Sequence, residues 1–93
     1  MSESFGRIQE LLRQRAEYEA RLKLLPYDGT PEVKSQGEKR YLYSRRRVGS
    51  RTVSTYAGVY SEELYQQMLR DAREAKELRK LIRHADKALA ELI

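Results

Sequence analysis

Cysteine is absent from this sequence, and histidine occurs once, at His84. Without thiols there is no disulfide framework, no thiolate metal site and no cysteine nucleophile, and a single imidazole does not build a histidine metal centre. No apolar run approaches the roughly 18–20 residues of a membrane span, and there is no signal-peptide pattern. A glycine-rich, phosphate-cradling loop is missing, and Glu62, Glu63 and Asp28 do not form a metal constellation. His84 stands in a helical stretch with no serine or cysteine placed beside it, so a surface or seam position accounts for it better than a role as general base. At 93 residues the chain buries about 60% of its unfolded surface, too little to enclose a large apolar pocket. These absences predict no enzyme activity, no cofactor, no metal, no small-molecule substrate and no membrane association. They point to a soluble, cytoplasmic protein with a single domain over residues 1–93.

What is present falls into three blocks. Ile8, Leu11, Arg15, Tyr18, Leu22 and Leu25 follow one another in steps of three and four, the spacing of a helix–helix seam. A helix is predicted over residues 2–25, with Ser2 or Ser4 as the cap and Glu3 at the positive end of the dipole. Glu3–Arg7, Glu17–Arg21 and Glu19–Lys23 support its solvent face, and Pro26 stops it. Residues 26–38 read as a loop, with room for a short strand around Glu32–Ser35 that turns at Gln36-Gly37. Residues 39–59 read as a β-hairpin, because Tyr, Val and Thr crowd both arms and Gly49-Ser50 supplies a tight turn. The third block, 61–92, opens on Ser61-Glu62-Glu63 and contains neither glycine nor proline. Its stripe is Leu64, Met68, Asp71, Ala75, Leu78, Ile82, Ala85, Leu89 and Leu92, widened by Leu69, Ala72, Leu81 and Ala88.

The fold class that follows is α+β: a helix, a hairpin with two or three strands, and a long helix, the two helices forming an antiparallel, coiled-coil-like pair. Because the second helix is the longer, its C-terminal part is expected to overhang. Leu78, Ile82, Ala85, Leu89 and Leu92 would then serve a homodimer or another protein partner. Arg15 and Asp71 interrupt the two seams. They either pair with each other and fix register, or sit at the seam edge and reach water.

The charge is concentrated. Between Lys39 and Arg51 there are six basic residues (Lys39, Arg40, Arg45, Arg46, Arg47, Arg51) and no acidic one, out of 19 basic and 14 acidic in the chain. The remainder, 13 basic against 14 acidic, is nearly neutral, so the whole positive excess belongs to the hairpin. A local field of this kind favours a polyanion. With a period of two, Val48, Arg51, Arg46, Val53, Ser44, Thr55, Leu42 and Ala57 share one side, apolar at its base and continued by Val59. Tyr41, Tyr43, Arg45, Arg47, Thr52, Ser54 and Tyr56 share the other. Such a ribbon fits the major groove of a duplex, where Arg reads guanine edges and hydroxyls reach phosphates. The plainer alternative is a solvated tip whose cations protect a sheet edge and whose tyrosines are packing.

The run Lys39-Arg40-Tyr41-Leu42-Tyr43-Ser44-Arg45-Arg46-Arg47, then Gly49-Ser50-Arg51, then Tyr56-Ala57-Gly58-Val59-Tyr60-Ser61-Glu62-Glu63 resembles the AP2-like arm-binding module of phage and transposon integrases. The resemblance implies a three-stranded sheet in the major groove with a helix behind it, and Tyr43, Arg45, Arg47, Arg51 and Thr52 as groove-facing residues. The chain departs from that module in its leading heptad helix, its much longer final helix and its lack of a catalytic domain, so integrase activity is not implied. The same pattern also resembles small proteins carried by mobile elements and found near toxin genes.

Three functions are therefore expected, in order. The first is a small nucleic-acid-binding regulator, for DNA or RNA, contacting its target through Lys39, Arg40, Tyr41, Tyr43, Arg45, Arg46, Arg47, Arg51, Thr52 and Tyr56. The second is a protein-binding inhibitor, an antitoxin or an anti-defence (anti-CRISPR-type) protein of a phage or mobile element, docking on an enzyme or in its nucleic-acid groove. The third is a coiled-coil adaptor with no nucleic-acid role.

Overall fold

A computed structural model describes the backbone from Ser2 to Ile93 and the side chains from Ser4 onward. The elements are α1 (Ser2–Leu24), β1 (Thr30–Gln36), β2 (Lys39–Val48), β3 (Arg51–Val59) and α2 (Glu62–Leu92), and the fold is α+β. The strands form one antiparallel sheet in the order β1-β2-β3. The expected cap at Ser2 and the charge at Glu3 concern side chains outside those described.

Both hairpin connections are two residues long, and both put glycine first: Gly37-Glu38 and Gly49-Ser50. Gly37 has φ 66° and Gly49 φ 65°, whereas no non-glycine residue among those described has positive φ. Positive φ at the first central position alone defines a type II′ turn, whose twist matches that of the flanking strands. The turn expected at Gln36-Gly37 thus lies one residue later, and β1 extends on both sides of the expected Glu32–Ser35.

The chain divides into two compact units. In the unit Leu25–Ala75, Leu42 and Met68 are fully buried and Ala75 is as well. Ser44 is the buried polar side chain there, and its Oγ accepts from the Gly29 N–H at 3.1 Å. Ser61 caps α2, its Oγ accepting from the Leu64 N–H at 3.1 Å, which satisfies one of the free amides of the first turn. The expected pairing of Leu42 with Ala57 does not occur. A β-bulge leaves Ala57 unopposed, and Leu42 faces Gly58 instead. One extra residue moves everything after it to the opposite face, so Val59 stands across from Tyr41 and not on the Leu42 side.

The other unit contains α1 and the second half of α2, which run antiparallel. Leu11 of α1 is buried and Ile8, Tyr18 and Leu22 are half-buried, the stripe that the spacing predicts. The Arg15 Nε donates to Asp86 Oδ1 at 2.5 Å and its Nη1 lies 2.9 Å from Glu19. Arg15 therefore does not take Asp71 as its partner, and Asp71 keeps a buried Oδ2 with no hydrogen bond among the described residues. The expected overhang of α2 is absent. Leu78, Ala85 and Leu89 are buried within the chain, Ile82 is half-buried, and Leu92 and Ile93 reach solvent. The length of α2 beyond α1 is used up at its start, since its first half belongs to the unit of the sheet.

Candidate nucleic-acid interface

Residues opposite one another in a sheet project to the same side, so the register sorts the side chains. One face takes the odd-numbered positions of β2. Its rows are Gln36–Lys39, Lys34–Tyr41–Val59, Glu32–Tyr43–Tyr56, Thr30–Arg45–Ser54 and Arg47–Thr52. Successive rows are about 6.8 Å apart along the strand. The other face carries Arg40, Leu42, Ser44, Arg46 and Val48 of β2 with Val33, Val53 and Arg51 across from them. The hairpin outruns β1: the pairs from Arg46↔Val53 to Val48↔Arg51 lie beyond Thr30↔Arg45. Its tip is a two-stranded ribbon.

The six expected cations are thus split. Lys39, Arg45 and Arg47 share the tyrosine face, while Arg40, Arg46 and Arg51 project from the opposite one. Two of the latter are engaged within the chain. The Arg46 Nη1 donates to Asp28 Oδ2 at 2.6 Å, and the Arg40 guanidinium lies 4.2 Å from the centre of the Tyr60 ring. Arg40 also fixes Tyr60 through its carbonyl, which accepts from the Tyr60 N–H at 2.9 Å. The Tyr60 hydroxyl donates to Glu62 Oε2 at 2.8 Å, which raises the phenol's pKa. The Glu62 carboxyl is lowered by hydrogen bonds from Gln66 and from Tyr60. Arg51 stands at the tip across from Val48, away from the residues with which the integrase resemblance groups it.

On the tyrosine face the rings meet at the centre. Tyr43 and Tyr56 are edge-on with centroids 5.5 Å apart, and Tyr41 and Tyr56 are tilted at 6.3 Å. Tyr56 is 54% exposed and Val59 62%. Around the rings lie Lys34, Lys39, Arg45 and Arg47, all exposed. Lys34 Nζ sits 4.4 Å from the Tyr43 ring centre. The single acid of this face, Glu32, lies 3.5 Å from Lys34 and 3.8 Å from Arg45. Among the described residues, Lys39, Arg47 and Arg51 have no ion-pair partner. Four cations against one carboxylate leave the face strongly positive, with an aromatic middle.

The sequence pattern brings Tyr41, Tyr43, Tyr56, Lys39, Arg45, Arg47 and Thr52 together on this face. It misses Lys34 and Glu32. The signal was the alternation Thr30-Glu32-Lys34-Gln36 before a Gly-X turn of the same chemistry as Gly49-Ser50. Among the described residues, no group of three His, Cys, Asp or Glu side chains could hold a metal ion, and no helix is long and apolar enough to cross a membrane.

The family model described as Domain of unknown function (DUF6788) matches residues 5–66, well over half of the 93. The chain belongs to this family. The DUF6788 match takes in the whole sheet, both faces of it, and the capped start of α2, so the tyrosine face lies entirely inside the family's domain. No curated protein and no solved structure matches the chain.

Proposed function

We propose that this protein is a small, non-enzymatic, cytoplasmic nucleic-acid-binding protein that holds its ligand on the tyrosine face of the sheet. The observation that carries the reading is the placement of Lys34, Lys39, Arg45 and Arg47 around three tyrosines on one uncovered face. Cations supply the phosphate contacts that dominate nucleic-acid affinity, and aromatic side chains supply contact with bases. The resemblance of residues 39–63 to an integrase arm-binding module favours the same reading, as does the confinement of the positive excess to the hairpin.

Fluorescence anisotropy with labelled nucleic acid over a range of salt concentrations tests it. Binding weakens steeply with salt, and Arg45→Ala and Arg47→Ala each reduce the slope of log K against log salt by about 0.7–0.9. Arg46→Ala changes the slope less, because its guanidinium is already held by Asp28. Absence of binding at low salt to DNA and RNA alike would overturn the proposal.

The protein-docking alternative has one observation in its favour. Phe5 and Leu12 of α1 are 62% and 51% exposed, and Leu12 borders a shallow groove with Gly6, Gln9, Glu10 and Arg13. A protein inhibitor would lose its target on Leu12→Glu while keeping the salt-dependent behaviour of the sheet unchanged.

A further inference from the structure

We infer that the ligand of the tyrosine face is single-stranded: unpaired bases on a sugar–phosphate chain. This inference rests on the nucleic-acid reading above and narrows it. When a sheet enters the major groove, the middle of its face meets the base edges, and discrimination there relies on bidentate side chains, Arg with two donors or Asn and Gln with a donor and an acceptor. The central row of this face holds Tyr43 and Tyr56 with Glu32, and Tyr41, Val59 and Lys34 form one of the two rows beside it; the chain contains no asparagine. Gln36 and Arg47 occupy the two end rows, and Arg45 the row between Tyr43 and Arg47. Ring surface at the centre with guanidinium and amide groups outside it is not the order that edge reading requires.

It is the order that a single strand requires. Stacking needs ring surface at the centre and cations along the flanks for the backbone, and it tolerates any base because every base has a π-face. Tyr56 offers that surface, being more than half exposed while edge-on to Tyr43. Val59 beside Tyr41 adds an exposed apolar neighbour, placed there by the bulge at Ala57. The hydroxyls of Tyr41, Tyr43 and Tyr56 make no hydrogen bond within the described residues, so they remain available to phosphates or base edges. From Lys39 to Arg47 the face spans about 27 Å along β2, room for several nucleotides.

The experiment titrates the full chain with labelled oligo-dT, oligo-U and a mixed-sequence duplex of the same length. Tyrosine emission is followed as well, since the chain has seven tyrosines and no tryptophan to mask them. Both single strands are expected to bind at least about tenfold more tightly than the duplex and to quench tyrosine emission. Tyr56→Ala weakens single-strand binding by about fivefold or more without changing the salt slope, and Tyr56→Phe retains it. Oligo-dT and oligo-U differ in the 2′-hydroxyl and in the thymine methyl group, and a preference for either supports the inference provided that both bind more tightly than the duplex. Equal or tighter binding of the duplex, or an unaltered affinity in Tyr56→Ala, overturns the single-strand inference and leaves nucleic-acid binding standing. Failure of all three ligands to bind overturns the broader reading with it.

Discussion

Gly29 shows how closely the sheet is built around its functional rows. A β-carbon there would stand 2.5 Å from the Arg45 carbonyl oxygen and 2.7 Å from Ser44 Oγ. One of these is backbone and cannot swing aside. The same glycine donates its N–H to Ser44, whose hydroxyl would otherwise be a buried polar group without a partner. Thr30, the next residue, opens β1 opposite Arg45. Gly29 is therefore where the chain arriving from α1 is pressed against the row that carries Arg45. Gly29→Ala is expected to cost about 1–3 kcal/mol as overpacking, which for a chain of this size is a drop of roughly 4–8 °C in Tm per kcal/mol. Thermal unfolding followed by circular dichroism measures it. An unchanged Tm would show that the loop yields and that the close approach is incidental.

The elements tell a different story about glycine. Beyond the adjacent residues, nothing described lies within 4 Å of where a β-carbon on Gly37 or Gly49 would stand, so a side chain would fit; the constraint is their φ of 66° and 65°. Gly37→Ala and Gly49→Ala are each expected to cost about 1–3 kcal/mol through backbone strain alone, seen as a lower denaturation midpoint. D-alanine introduced at position 49 by chemical synthesis would restore stability, because its mirror-image preference suits that φ. A loss with the D-residue equal to that with the L-residue would contradict the conformational account. These turns also explain what the sequence made legible. Gly49-Ser50 sits between two long β-rich arms, so turn and register were readable together. Gly37-Glu38 follows TPEVKSQ, an edge strand with one strongly apolar residue, Val33, itself 43% exposed. With so little burial to enforce alternation, its length and turn were not readable, and Lys34 and Glu32 were missed with them. The helices were readable because their stripes are buried, and Ser61 because capping is a local hydrogen bond. The bulge at Ala57 left a single mark in the sequence, Gly58, set where a β-carbon would come within 3.2 Å of Leu64.

For the molecule as a whole the question is whether its net charge of +5 or the placement of that charge governs binding. Lys76, Lys80 and Lys87 are exposed on the half of α2 that belongs with α1. Lys39, Arg45 and Arg47 are exposed on the tyrosine face. Each set carries the same charge, so a protein that attracts polyanions through net charge would respond equally to losing either. Exposed charges are screened beyond about 8–10 Å at physiological salt. Only cations that touch phosphate release counterions and set the salt slope. Changing Lys76, Lys80 and Lys87 together to Gln is therefore expected to leave affinity within about twofold and the slope unaltered. The matching change of Lys39, Arg45 and Arg47 to Gln lowers the slope by about two to three and reduces binding at low salt by orders of magnitude. Parallel anisotropy titrations of the two triple variants, with circular dichroism to confirm that both remain folded, decide between the accounts. Equal losses would mean that the sheet is only one part of a diffusely basic surface. A loss confined to the second variant locates recognition on the face where cations surround the tyrosine rings.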